Sequence, residues 1–134
     1  MIAVLGATGQ IGSLVAEELA RRGVDARALV RRPSNTAVPL DAVRADLTDP
    51  SSLGPALRGA TRLLLVTPHH ADQDLLEATA IEAAAAAGVE RIVKISGGSA
   101  SLGPNGTTRT SVAHWRSEQR IERSGMGFTF LRPS

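Results

Sequence analysis

VLGATGQIG (residues 4–12) sits directly behind the apolar run IAVL (2–5) and opens a stretch with helical apolar spacing, so strand, loop and helix follow within a few residues. Glycines at 6, 9 and 12 interrupt it. Each glycine has a separate use in such a turn: Gly6 permits the tight turn after the strand, Gly9 lets backbone approach a ligand, and Gly12 lets the helix approach the strand. Amides at the start of a helix point outward without intrahelical partners and lie at the positive end of the helix dipole, so they favour a phosphate. Gly6, Thr8, Gly9, Gln10, Ile11 and Gly12 are therefore the candidate pyrophosphate cradle. The spacing is GxxGxxG, one step from the GxGxxG fingerprint, and the strand before and helix after supply the context that a bare glycine triplet lacks.

The rest of the chain repeats this alternation. In the first helix Ile11, Leu14, Val15 and Leu19 fall on one face, which predicts their burial, and Gly23 closes it. ARALV (26–30) is the second predicted strand and AVRA (42–45) a short third. Residues 50–58 predict a brief helix entered at Pro50. RLLLV (62–66) is a continuous apolar run suited to a strand buried on both faces. A long helix is predicted over 71–87, where AAAAA (83–87) suits close packing on a sheet, and Gly88 ends it. RIVKI (91–95), a helix over 111–124 and GFTFL (127–131) complete the pattern. Short connections between alternating strands and helices imply an α/β fold, a doubly wound parallel sheet of order 3-2-1-4-5-6, with residues 1–134 as one dinucleotide-binding domain.

Composition narrows the chemistry. With 134 residues, 43% of them hydrophobic, the chain can bury an aliphatic core; Trp115, Phe128 and Phe130 are its only aromatic residues. No cysteine is present, which excludes disulfides and thiolate chemistry, and no tyrosine is present. The net charge is +2 and the basic residues are dispersed without interleaved aromatics, which argues against a nucleic-acid surface. No apolar stretch reaches membrane-spanning length, and the start MIAVLG has no signal-peptide pattern, so the expected setting is the cytoplasm, away from membranes.

In a parallel sheet of this kind, ligands bind beyond the carboxyl ends of the strands. Asp25 stands near the usual spacing for an acid that binds an NAD ribose, but it begins the second strand. The carboxyl end carries VRRPS, and guanidinium groups from Arg31 and Arg32 suit a 2′-phosphate, so NADP(H) is the expected cofactor. Asp46 and Leu47 follow the third strand near the expected adenine pocket; Asp46 either accepts from the adenine amino group or caps the next helix. Thr67 and Pro68 follow the fourth strand, and Ser96-Gly97-Gly98-Ser99 the fifth, where nicotinamide and a small-molecule substrate are expected to meet. His69, His70 and Asp72 are metal-ligand types, but adjacent histidines on one loop seldom converge, and no metal site is predicted. Lys94 interrupts an apolar strand: its ammonium must reach an anion or polar edge, at the cofactor for instance, or snorkel outward. Ser96, His114 and an acid can be assembled on paper as a hydrolase triad, without the GxSxG elbow that would support it.

Taken in order, GATGQIG, VRRP, ADLTDP, the TP after strand four, RIVKISGGSA and HWRSEQRIERSGMGFTFLRPS resemble the NmrA-like group of atypical short-chain dehydrogenase/reductases along essentially the whole chain. The resemblance implies NAD(P) binding at the first loop and either NADPH-dependent reduction of quinone-type acceptors or redox sensing without turnover. Members of the wider superfamily use a Tyr-x-x-x-Lys pair on the helix after strand five. Counted back from Glu122, His114 falls near the tyrosine position and Glu118 near the lysine position, so both halves are absent; nor does His114 match the lysine of related ether reductases. His114 remains the candidate proton donor, with Ser96 beside it, because imidazole titrates near neutrality. Family members continue beyond the LRP stretch into a region that closes over substrate. The expectation is therefore a fragment, an open substrate side, or one supplied by another subunit of a homo-oligomer.

Overall fold

In the computed structural model, which describes residues 1–68, 70–98, 102–106 and 108–133, six strands form one parallel sheet. They are β1 (Ile2–Leu5), β2 (Ala26–Val30), β3 (Asp41–Arg44), β4 (Arg62–Leu65), β5 (Arg91–Ile95) and β6 (Gly127–Leu131). Their order is β3-β2-β1-β4-β5-β6, the predicted doubly wound arrangement. The register aligns Leu5 with Leu29 and Leu65, and Leu65 with Lys94, so the carboxyl ends of the central strands finish level. Every loop that follows a strand consequently emerges on the same edge.

Among the described residues four α-helices connect the strands: α1 (Gln10–Arg21), α2 (Leu53–Leu57), α3 (Gln73–Ala86) and α4 (Arg109–Arg123). The segment predicted as one brief helix over 50–58 begins as a 3-10 turn at Pro50–Ser52 and only then becomes α2. The helix predicted over 71–87 starts at Gln73, and Gly88 follows it with a φ of 82°, a conformation that glycine adopts without a Cβ clash.

Side chains alternate across the strands and build two cores. Ala3, Leu5, Leu29, Leu63, Leu65 and Ile92 face α2, α3 and α4 through Leu53, Leu57, Ala80, Ile81, Ala84 and Ile121. Val4, Ala28, Val30 and Leu64 face the other way, where Val15 and Leu19 of α1 cover them. Burial of Leu63, Leu64 and Leu65 on both faces explains why that strand reads as an unbroken apolar run.

The apolar face predicted for α1 requires correction. Ile11 and Leu14 are 43% and 63% exposed; α1 buries Gly12 and Ala16 and packs on the sheet through the half-buried Val15 and Leu19. Gly12 seats the start of α1 against the Gly6–Ala7 loop, where a Cβ would not fit, and in that seating Ile11 and Leu14 are left at the surface. β6 is an edge strand on which Phe128 and Phe130 stack with ring centroids 4.8 Å apart.

Candidate functional site

The glycine loop divides its labour unequally. Gly6 has a φ of 89°, and a Cβ there would lie 2.1 Å from the carbonyl oxygen of Val66, so the turn after β1 passes against the end of β4. A Cβ on Gly12 would lie 1.8 Å from the Gly6 oxygen, which fixes the approach of α1 to its own loop. Gly9 is different: a Cβ there would meet only the Gly6 oxygen, at 3.3 Å, and its φ of −78° is open to any residue. Internal packing therefore demands glycine at 6 and 12 but not at 9.

Gly9 is the N-cap of α1 and no side chain caps the helix there. No acidic residue occupies the first turn, and Thr8, Gly9, Gln10 and Ile11 are exposed. The first amides of α1 thus face the carboxyl edge of the sheet unmasked, and the bare Cα of Gly9 keeps the space above them open. A dinucleotide pyrophosphate fits this cradle on charge, donor supply and room.

Residues around the cradle occupy the same edge. Arg31 and Arg32 follow β2 and are exposed. Arg31 lies close enough to Asp46 for its charge to help lower the pKa of that carboxyl. Asp46 itself is engaged locally: Oδ1 accepts from the Thr48 hydroxyl at 2.6 Å and from the Thr48 amide at 2.9 Å, and these bonds lead in lowering its pKa. Asp46 does not cap the next helix, whose 3-10 turn and α2 have Asp49 and Ser52 as N-caps; its Oδ1 closes a local turn with Thr48. Leu47 is half-buried against the core. A cleft of about 350 Å³ runs from Ala7 and Thr8 past Ser13 to the segment 35–39, beside the cradle.

Beyond β4 and β5 the predicted residues enter two buried polar clusters. In the first, the Thr67 hydroxyl donates to Glu77 Oε2 at 2.6 Å and accepts from Gln73 Nε2 at 3.2 Å. Glu77 Oε1 accepts from Ser117 Oγ at 2.7 Å, and the Lys94 ammonium sits against both carboxylate oxygens at 2.9 and 3.0 Å. Lys94 and Glu77 each have 0% exposure. Neither the snorkelling predicted for Lys94 nor direct contact with a bound nucleotide agrees with this position. An anion does meet the ammonium, but it is Glu77 of α3. On its other side Lys94 Nζ lies 2.9 Å from Nδ1 of His114. The imidazole packs beneath the loop after β5, where a Cβ on Gly97 would be 3.0 Å from its Cδ2.

In the second cluster Ser96 Oγ donates to Glu118 Oε2 at 2.6 Å, and Arg132, just after β6, pairs with both Glu118 oxygens. A serine hydroxyl has one proton to give, and here a carboxylate takes it. The Ser96–His114–acid triad is thereby corrected: Ser96 is committed to Glu118, while His114 faces Lys94. Pro68 is exposed at the loop after β4, and His70 Nδ1 accepts from the Asp72 amide at 2.9 Å. Among the described residues no three His, Asp or Glu side chains gather as a metal site; His69 and Ser99 lie outside them.

Glu77 was not legible as a site residue on its own, although a signal existed. Gln73, Glu77, Ala80, Ile81 and Ala84 form one buried stripe along α3, and following that stripe places the carboxylate inside.

Residues 6–134 match the NAD(P)H-binding family. The chain belongs to that family. It is 34% identical to the NAD(P)H azoreductase of Xenophilus azovorans over 139 residues, covering 99% of this chain and 47% of that protein. It is also 34% identical to quinone oxidoreductase 2 of Escherichia coli, covering 98% of this chain and 48% of that protein. Among solved structures, the Citrobacter sp. triphenylmethane reductase complexed with NADP(H) superposes with a TM-score of 0.88 at 28% identity, over 100% of this chain and 49% of its own. The chain thus spans about half the length of the curated relatives it matches. The family match and these likenesses support the NmrA-like resemblance. No helix among the described residues is long and apolar enough to cross a membrane.

Proposed function

We propose that this chain is the nucleotide-binding part of an NADPH-dependent oxidoreductase that transfers hydride to a quinone-like or other conjugated small-molecule acceptor. The observation that carries this reading is the shared sheet edge. The uncapped, exposed start of α1 and the Gly97 loop above His114 both lie at the carboxyl ends of the parallel strands. Thr8, Gly9, Gln10 and Ile11 hold the pyrophosphate; Arg31, with Arg32 beside it, pairs with the 2′-phosphate. When bound, the reduced nicotinamide supplies the hydride. His114 supplies the proton that the reduced acceptor takes up. Azo, quinone and triphenylmethane acceptors named for the related reductases are all extended conjugated systems, which supports the acceptor class. Ile11, Ile95, Phe130, Leu131 and Pro133, with Arg132 among them, line a mostly apolar cleft of about 380 Å³ near this edge, a surface suited to a flat ring system.

The complete absence of tyrosine favours a second reading, an NADP(H)-sensing regulatory binding protein without turnover. NADPH oxidation, followed by absorbance against quinone, azo and triphenylmethane acceptors, separates the two. Acceptor-dependent oxidation is the expected result. Tight NADPH binding by calorimetry with no oxidation by any acceptor would establish the sensor instead.

A further inference from the structure

Lys94 is the largest fully buried side chain among the described residues, and it ends against an imidazole. Its surroundings fix the protonation of the whole cluster. Glu77 receives the Thr67 hydroxyl, the Ser117 hydroxyl and the Lys94 ammonium, so its oxygens act only as acceptors. That is the pattern of an ionised carboxylate. The three N–H bonds of the ammonium then account for its three neighbours: Glu77, the Ile95 carbonyl at 3.4 Å and His114 Nδ1 at 2.9 Å. With Lys94 donating to it, Nδ1 is an acceptor, and the ring proton of neutral His114 is on Nε2.

A neutral imidazole cannot release its Nε2 proton alone without becoming an anion. It can release that proton if Nδ1 gains another at the same time, and the atom facing Nδ1 is a protonated nitrogen. We propose that Glu77 and Lys94 are positioning residues of a buried proton relay: they hold His114 in its Nε2–H form and resupply it from behind. This rests on the reductase reading. As hydride reaches the acceptor, the developing oxyanion takes the Nε2 proton, and a proton from Lys94 Nζ crosses to Nδ1. His114 is neutral before and after and has exchanged tautomers; Lys94 passes from ammonium to amine; Glu77 stays a carboxylate. One hydride and one proton are consumed per acceptor; a solvent proton then enters at Nε2 as Nδ1 returns its proton to Lys94 Nζ, which restores the Nε2–H imidazole and the ammonium before the next cycle.

The charges around the relay suit this task. Burial pushes the Lys94 pKa below the ordinary lysine value, while the carboxylates of Glu77 on α3 and Glu118 on α4 oppose the fall. Arg132, beyond β6, pairs with Glu118, which leaves Glu77 as the closer anion. A lysine whose ammonium is weakened in this way gives up a proton more readily than an exposed one.

The chain has three histidines, so nitrogen-15 imidazole spectra of histidine-labelled protein can resolve the His114 ring, assigned by its loss in His114→Asn. At neutral pH the wild type is expected to show the Nε2–H tautomer. Lys94→Met alone strands a buried carboxylate and threatens folding, so the informative variant is Glu77→Gln/Lys94→Met, which removes both charges together. In that double variant the share of the Nε2–H form is expected to fall. In turnover assays kcat should fall about 100-fold with KM little changed, and the loss of wild-type kcat at alkaline pH should disappear. An Nδ1–H form or an imidazolium in the wild type, or an unchanged ring in the double variant, would overturn the relay. A protein that binds NADPH, passes its hydride to none of these acceptors and yet shows the Lys94-dependent tautomer would sink the reductase reading and uphold the positioning of His114.

Discussion

The α-carbon of Gly12 faces the carbonyl oxygen of Gly6 so closely that a Cβ on Gly12 would stand 1.8 Å from that oxygen. No rotamer relieves such a contact, because the position of a Cβ is fixed by its backbone and the atom it meets is a backbone oxygen. Gly12→Ala must push α1 away from the β1 loop, and overpacking of this kind costs about 2–3 kcal/mol. Gly9→Ala meets only a 3.3 Å contact and a permissive φ, so it costs at most about 1 kcal/mol as an N-cap change. Both variants should weaken NADPH binding, the first by displacing the helix and the second by filling the cradle. Thermal melts with calorimetry check the contrast; equal destabilisation by the two changes would refute the assignment of separate roles.

Much of this arrangement was legible in the sequence. Strand runs, glycine stops and the loop after β1 all lie within single local segments, and local segments are what apolar period and turn chemistry describe. The α1 face misled because periodicity ranks side chains by apolarity, whereas Gly12 is buried by the close approach of its own loop and Ile11 and Leu14 stay exposed. Lys94 could be recognised as out of place, but not its solution. Its partners Glu77 and His114 come from α3 and α4, 17 and 20 residues away along the chain, and only the packing of both helices on β5 brings them together. Ser96 was likewise claimed by Glu118, 22 residues on, and by no local partner.

Arg31 tests the choice of nucleotide. It is exposed at the carboxyl end of β2, close to Asp46, where a 2′-phosphate can reach it. A hydrogen bond between charged groups is worth about 1.5–3 kcal/mol, so Arg31→Ala should weaken NADPH binding by roughly tenfold or more. NADH carries no 2′-phosphate, and its affinity should change by no more than about twofold on the same reasoning. Calorimetric titration with both nucleotides reads the difference, and a parallel loss for the two would remove the 2′-phosphate contact from consideration.

Ser96 separates a structural hydroxyl from a nucleophile. Its proton goes to Glu118, a buried carboxylate that Arg132 also holds, so Ser96→Ala removes one of the donors from that anion. The expected cost is about 1.5–3 kcal/mol of stability, seen as a lower melting temperature. NADPH-dependent turnover should remain within a few-fold of wild type. Loss of an esterase-type activity that needs no nucleotide would instead restore the hydrolase assignment.

Asp74 gives the fold a predictable acid limit. Its carboxylate on α3 accepts from Arg116 at 3.2 Å and from Arg120, both on α4, so the two helices are tied across their surface. Partial burial raises its pKa, but the paired Arg120 and Arg116 outweigh that effect and hold the carboxyl below the ordinary aspartate value. A depressed carboxyl pKa means that the unfolded chain binds the proton more readily than the folded one. The contribution is therefore complete above the ordinary aspartate range and is lost as pH falls through the lower, folded-state pKa. Partly exposed pairs of this kind are worth about 0.5–1 kcal/mol. Asp74→Asn should lower stability by that amount near neutrality and converge with wild type at the acid end of a pH series of thermal melts. A constant offset between the two proteins down to the lowest pH would show that the α3–α4 tie does not depend on the charge of Asp74.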